Sequence, residues 1–553
     1  MDAEVCIGNA GLLKSLGIAP ELNLLCKILV VVLDHGRFTV GFTYNDATII
    51  SVYLLSMEKN SSTLIKEHWP RVLYRASQVR EIDRILIEEQ GIPGLNLMRR
   101  AASACCDVLL QRWPDARCIR VYCGSGNNAA DGFIVAGLLA EKGLLVDVVT
   151  VGDTAKLGSD GQAAFKFCCQ SGANLAPSDQ NFEHPSVIVD ALLGTGFNGP
   201  LRPAYRAAIE SINQSPAPVL AVDVPSGLDV DSGYVTEIAV EAEATVTFIA
   251  MKRGLMTGQG LDLTGDLAFA SLGADPQLTP PGDAVKLLNL PELLAQLPLR
   301  PRNAHKNRFG HVLVVGGDLG MGGAALMSAL AAMRVGAGLV SMATRPEHAS
   351  VLMAHQPELM IRGVEDQCAL GPMLEQASLV VLGPGLGQSA WGKALFEEVL
   401  KTDLPLVLDA DGLNLLSQRP VQRANWILTP HPGEAARMLD VKSVGENRFE
   451  HAVALQQSFG GIAVLKGAGT LVASATGMAL CPYGNPGMST AGMGDVLSGV
   501  IGGIWAQFPD MAQAASLGVA LHSAAGDRAA TAGERGLMAT DLIPVLRELL
   551  NGI

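Results

Sequence analysis

The chain has 553 residues and a net charge of −14, with 49% hydrophobic and 17% charged residues. That length predicts two or more domains, and the acidic balance, with no basic tract to offset it, excludes a general nucleic-acid binder. No apolar run reaches the ~20 residues of a membrane span, and the ten scattered cysteines offer neither a CxxC pair nor a zinc-spaced Cys/His cluster, so they read as small buried hydrophobes of a reducing, cytoplasmic compartment.

Residues 1–70 carry two short apolar runs, Leu22 to Leu33 and Thr48 to Met57. The opening Met-Asp-Ala-Glu is acidic, unlike a signal peptide. The segment is expected to be an atypical N-terminal extension without assigned function, with Met57 as another candidate start.

From Tyr74 the pattern becomes regular. Two helices divide at Gly91-Ile92-Pro93-Gly94. A strand, Cys118 to Cys123, then runs into the loop GSGNNAADG and a helix. Further strands are expected at Val146 to Val151, Ser186 to Asp190, Val219 to Val224 and Thr245 to Ile249, with helices between them. Alternation of this kind predicts a parallel, doubly wound α/β sheet over residues 71–275. Polar residues collect just after three strands, where such sheets bind ligands. They are Asn127, Asn128 and Asp131, then Asp190, then Asp223 with Ser226. One such loop alone is a tight turn with self-capping side chains. Three on one sheet edge make a pocket, and their hard oxygen donors suit a hard cation or sugar and phosphate groups.

Pro276 to Pro301 is proline-rich without a clear period, and residues 276–303 read as a linker. A second α/β pattern opens at His311 to Gly316 and fills residues 304–553. Its strand-end loops are GPGLG (Gly383 to Gly387), DAD (Asp409 to Asp411), TPHPGE (with His431 and Glu434) and KGAGT (Lys466, Gly467, Ala468, Gly469, Thr470). Lys466 and the N–H groups beside it could hold a diphosphate.

The last motif, Thr490-Ala491-Gly492-Met493-Gly494-Asp495, precedes an apolar run at helical spacing. A Gly-rich turn opening a helix presents unpaired N–H groups and the positive end of the helix dipole to an anion. Asp495 at that point reads either as a helix cap or as the base that takes a proton from a hydroxyl attacking phosphorus. The loops before it favour the second reading.

The motifs GNNxxDG, DALLGTGFNGPLR and VDVPSGLDVDSG resemble the NAD(P)H-hydrate epimerase domain. HKNRFGHVLVVGG, GAGLV, GPGLG, LDADGLNLL, TPHPGE, KGAGT and GMGD resemble the ADP-dependent NAD(P)H-hydrate dehydratase domain, a relative of ribokinase-like kinases. The resemblance covers Tyr74 to the C-terminus. It implies a Rossmann-like domain followed by a ribokinase-like domain, acting on NADH and NADPH hydrated at C6 of the nicotinamide ring, with a homo-oligomer expected.

By this resemblance, Asn127, Asn128, Ala129, Ala130, Asp131, Gly194, Thr195, Gly196, Phe197, Asn198, Gly199, Pro200 and Asp223 would contact the hydrate. Asn128, Asp190 and Ser226 would hold K+, and Asp190 or Asp223 would assist proton movement as C6 inverts. In the second domain Ala325, Gly385, His431 and Asp495 would contact the hydrate. Lys466 to Thr470 and Gly494 would contact ADP, which Mg2+ is expected to accompany, and Asp495 would be the base.

Two positions depart from the family pattern. Ala129 and Ala130 stand where two glycines are usual, and two methyl groups would hinder the loop if either position needs φ > 0 or touches substrate. Asn307 replaces a glycine, a mild change because Asn tolerates left-handed geometry. Two rival readings remain at this level: a small-molecule kinase of the ribokinase type, and a first domain that only binds nucleotide or scaffolds.

Overall fold

The computed structural model describes residues 69–176, 185–197, 199–275 and 282–552, with three short strands ahead of them. Those strands, Cys6–Ile7, Lys27–Leu33 and Arg37–Thr43, form one antiparallel sheet. The rest of the expected extension up to residue 68, including the run to Met57, lies outside the described residues.

The first α/β unit is built on seven parallel strands. In spatial order they are Asp266–Ala270, Ala244–Phe248, Val219–Val222, Val187–Ala191, Cys118–Cys123, Leu145–Thr150 and Asn174–Ala176. The central strands are buried from end to end, as expected when helices cover both faces of a parallel sheet. The order reverses beside Cys118–Cys123, so the crevice lies where its loop and that of Val187–Ala191 part. All the expected strands are present within a residue or two. Asn174–Ala176 and Asp266–Ala270 were not legible, being short or partly exposed.

The second unit carries a twelve-stranded mixed sheet. Its parallel centre runs from Met360–Gly363 through Leu339–Thr344, His311–Val315, Leu379–Leu382, Leu406–Leu408 and Trp426–Leu428 to Ile462–Leu465. Leu471–Ser474 and Gly477–Leu480 continue it antiparallel. The far edge comes from elsewhere in the chain. Val285–Leu287, in the stretch read as linker, pairs with Gly477–Leu480, and Val72–Tyr74 pairs with it on the other side. Met251–Lys252 closes that edge. The two halves therefore share one sheet.

The helix Met493–Trp505 lies against Gly322–Arg334 at very short range. A Cβ on Gly499 would come within 2.0 Å of the Ser328 carbonyl oxygen, and one on Gly503 within 2.5 Å of the Ala332 oxygen. Gly499 and Gly503 lie one turn apart on the same helix face, so the missing side chains set the helix spacing. Around this contact the apolar positions Val496, Leu497, Val500, Ile501 and Ile504 are buried. The packing fixes where the helix begins, and with it Asp495.

Candidate active sites

In the first unit, a cavity of about 700 Å³ opens beyond the strand ends and is lined by Asn127, Asn128, Asp131, Gly194 to Phe197, Pro200, Asp223, Lys252 and Asp83. Such a volume suits a small-molecule site. Asp223 follows Val219–Val222 with φ of 68°, a strained geometry for a side chain and a mark of functional positions. Its Oδ1 accepts hydrogen bonds from the Phe248 N–H at 3.2 Å and the Thr247 hydroxyl at 3.3 Å, and pairs with the Lys252 ammonium. Lys252 is 1% exposed and also donates to Thr247 Oγ1 and the Phe248 carbonyl. All three ammonium protons therefore have acceptors. Burial lowers the Lys252 pKa, against the pull of Asp223, Asp131 and Asp83. Burial first, and then the charges of Asp223 and Asp83, push the Asp131 carboxyl well above its usual range. The site thus pairs one lysine with Asp223, sets two further carboxyl groups nearby, and favours Asp131 in its protonated form.

Behind this cavity lies a second cluster. Asp190 has no exposed surface. It accepts from the Ser226 hydroxyl at 2.6 Å, the Ser226 N–H at 2.8 Å and the Leu192 N–H at 3.1 Å. Asn128 donates its amide to the Leu193 carbonyl at 2.8 Å, while its buried Oδ1 has no partner. An orphaned amide oxygen beside a carboxylate, a hydroxyl and a carbonyl is the donor chemistry of a hard monovalent cation. Asn128, Asp190 and Ser226 thus gather the kind of oxygen donors such a cation takes.

In the second unit, Gly492 caps Met493–Trp505 with φ of 91°, a conformation that admits glycine without strain. Asp495 lies in the first turn of that helix. Burial, then the charge of Asp409, push its pKa up to about 7, against the pull of Lys466. Lys466 donates to Asp409 Oδ1 at 2.7 Å and lies 4.0 Å from Glu434 Oε2. Burial presses the Lys466 ammonium toward neutrality, but Asp409 and Glu434 outweigh it and hold its pKa above the usual value. Burial raises Glu434 to about 7. His431 caps the helix Pro432–Leu439, its Nδ1 accepting from the Gly433 N–H at 3.0 Å. That bond places the ring proton on Nε2, and burial with the Lys466 charge lowers the pKa. Asp411 holds the GPGLG turn through the Gly387 N–H at 2.9 Å. Among the described residues no group of three or more His, Cys, Asp or Glu side chains is placed to hold a metal ion.

Two family descriptions divide the chain along the same line. Residues 94–254 match YjeF-related protein N-terminus, and residues 312–547 match NAD(P)H-hydrate dehydratase. The bifunctional NAD(P)H-hydrate repair enzyme Nnr of Coxiella burnetii (strain RSA 493 / Nine Mile phase I) is 49% identical over 490 residues, covering 87% of this chain and 99% of that one. The chain belongs to the bifunctional NAD(P)H-hydrate repair enzymes. The member from Escherichia coli (strain K12) is 39% identical over 90% of this chain and 96% of its own. A solved structure, the ADP/ATP-dependent NAD(P)H-hydrate dehydratase of Bacillus subtilis co-crystallised with ATP and Mg2+, is 30% identical and covers 48% of this chain and 97% of that one, with a TM-score of 0.45.

For a repair enzyme, four of the expected site positions present no side-chain surface to the cavities. Ala129 and Ala130 lie inside the helix Asn127–Glu141 with no exposed surface. Neither has positive φ, so their methyl groups fill the core and do not obstruct the cavity. Asp190 does not line the cavity, whereas Asp223 does. Ala325 is fully buried beneath Gly316 and Gly317. Asn198 lies outside the described residues. Asp83 and Lys252 were missed. Lys252 had a signal, a lysine three residues beyond the expected strand Thr245 to Ile249, at the end of an apolar run. Asp83 had none, since it lies on an ordinary amphipathic helix.

Proposed function

We infer that the chain restores hydrated NADH and NADPH, its first domain exchanging the R and S hydrates and its second dehydrating the S form at the expense of ADP. The observation that carries the second activity is the place of Asp495, in the first turn of a glycine-capped helix beside the Lys466–Asp409 pair, where burial pushes its carboxyl up to about 7. A base near neutral pKa is matched to its task. Asp495 takes the proton of the C6 hydroxyl. The freed oxygen bonds to the terminal phosphorus of ADP as the bond to the AMP oxygen breaks. The N–H groups of Gly492 to Asp495 and the Lys466 ammonium receive the developing charge. The N1 lone pair then expels phosphate from C6, and loss of a C5 proton completes the ring of NADH or NADPH. Water thus leaves as part of phosphate. Mg2+ would accompany the nucleotide and offset the charge of its phosphates.

In the first domain, Asp131 donates a proton to the departing C6 hydroxyl, and Asp223 receives one when water returns on the other face. Lys252 holds Asp223 in place. When K+ is bound by Asn128, Asp190 and Ser226, it supplies positive charge behind the loop that cradles the substrate.

The test is incubation with ADP and a racemic hydrate mixture, following NADH absorbance, AMP and phosphate. Complete conversion with one AMP and one phosphate per NADH is expected. Absence of turnover overturns the dehydratase reading, and a halt near half conversion overturns the epimerase reading.

A further inference from the structure

The loop Lys466–Thr470 has an unusual environment. The Thr257 hydroxyl, from the epimerase half, donates to the Ala468 carbonyl at 3.0 Å. The Gly258 N–H donates to the same oxygen at 3.2 Å. Arg448 donates to the Gly469 carbonyl at 3.1 Å. A Cβ on Gly469 would come within 2.3 Å of the Met256 carbonyl oxygen, so only glycine allows this approach. The Gly467, Ala468 and Gly469 N–H groups, by contrast, have no hydrogen-bond partner among the described residues. Carbonyls held from one side and unpaired N–H groups make an anion-binding turn.

The contact is part of a wider seam. Arg253 pairs with Glu450 at 3.3 Å and lies over the Phe449 ring at 4.2 Å. Thr257 is fully buried. A cavity of about 1710 Å³ runs along the seam, lined by Met256 and Leu255 from the epimerase half and by Lys466 to Thr470 and Gly494 from the dehydratase half.

We propose that the epimerase half is a working part of the nucleotide site, with Thr257 and Gly258 as positioning residues that hold the Lys466–Thr470 loop in its anion-binding shape. This rests on the reading of that loop as the ADP loop. Thr257 lines neither cavity. It acts through the Ala468 carbonyl and, at 3.5 Å, the Gly469 carbonyl, so its loss weakens ADP binding and leaves chemistry at bound substrate intact.

The test uses the full chain with Thr257→Val, which keeps the shape and removes the hydroxyl. The KM for ADP is expected to rise about 5–10-fold, the worth of one hydrogen bond, with kcat and the epimerase rate within about two-fold. Thr257→Ser should restore the KM. An unchanged KM in Thr257→Val, alongside a raised KM in Lys466→Ala, overturns the positioning role. An unchanged KM in Lys466→Ala as well overturns the ADP-loop reading itself. Hydrogen exchange on the unaltered protein gives a second arm. ADP should protect the Gly258 amide together with the loop, and protection of the loop with Gly258 unchanged overturns the proposal.

Discussion

The Lys466–Asp409 ion pair lies directly under Gly494. A Cβ placed on Gly494 would sit 3.2 Å from Lys466 Nζ and 3.6 Å from Asp409 Oδ2. Gly494 also lies in the first turn of its helix, where alanine is otherwise favoured. Gly494→Ala should therefore fold at least as well as the parent and still displace the ammonium by a few tenths of an ångström. The expected result is an ADP KM raised roughly tenfold, about 1.4 kcal/mol, with the epimerase rate unchanged. Steady-state kinetics at varied ADP checks it, and an unaltered KM would separate Lys466 from the nucleotide.

Asp495 carries two pH signatures of opposite sign. As a base it must be ionised, so kcat/KM should fall about tenfold per pH unit below its pKa of about 7. Its carboxyl ionises more readily in the unfolded chain, near ~3.9. The stability it contributes is complete below that value and is lost as pH rises through about 7. Asp495→Asn should lose ~10²–10⁴ of dehydratase turnover. It should also melt higher than the parent at pH 8 and equally at pH 4. Thermal melts across that range, with activity measured in parallel, check both signs. A variant that melts lower at pH 8 would remove the case for a buried, raised carboxyl.

Both sites were legible in part, and the divide has a physical cause. Loops at strand ends announce themselves through Gly, Asn and Asp, so GNN, KGAGT and GMGD marked stretches that line the two cavities. Roles that depend on depth did not announce themselves. Asp190 and Asp223 look alike in sequence, yet one is sealed behind Ser226 and the other faces the cavity. Lys252 and Thr257 fall in one short stretch that serves both units, and nothing in its spacing shows that Met251–Lys252 joins the edge of the second sheet. Such long-range pairings of two or three residues carry no period to read.

The depth difference between those two aspartates is itself testable. Asp223→Asn removes the cavity carboxylate and leaves Lys252 buried without its charge partner, so epimerase turnover should fall ~10²–10⁴. Dehydratase kinetics should stay within about two-fold, since Asp223 lies in the other unit. Asp190→Asn should act through the cation instead, raising the K+ concentration for half-maximal epimerase rate. Titrating K+ against choline for both variants checks this. Full recovery of Asp223→Asn at high K+ would reverse the two assignments.

Ala129 and Ala130 give the sharpest separation of stability from activity. The helix Asn127–Glu141 begins two residues before them, and both are wholly buried against the core that includes Phe133 and Val121. Glycine there adds backbone entropy to the unfolded chain, about 0.5–1 kcal/mol per position, and empties a methyl-sized space. Ala129→Gly with Ala130→Gly, the arrangement usual in the related motif, should therefore lower Tm. Epimerase kcat and KM should stay within about two-fold, because neither methyl group reaches the cavity. Paired melts and epimerase kinetics decide it. A rate gain of tenfold or more would mean that the methyl groups obstruct substrate after all, and that the helix start moves when the hydrate binds.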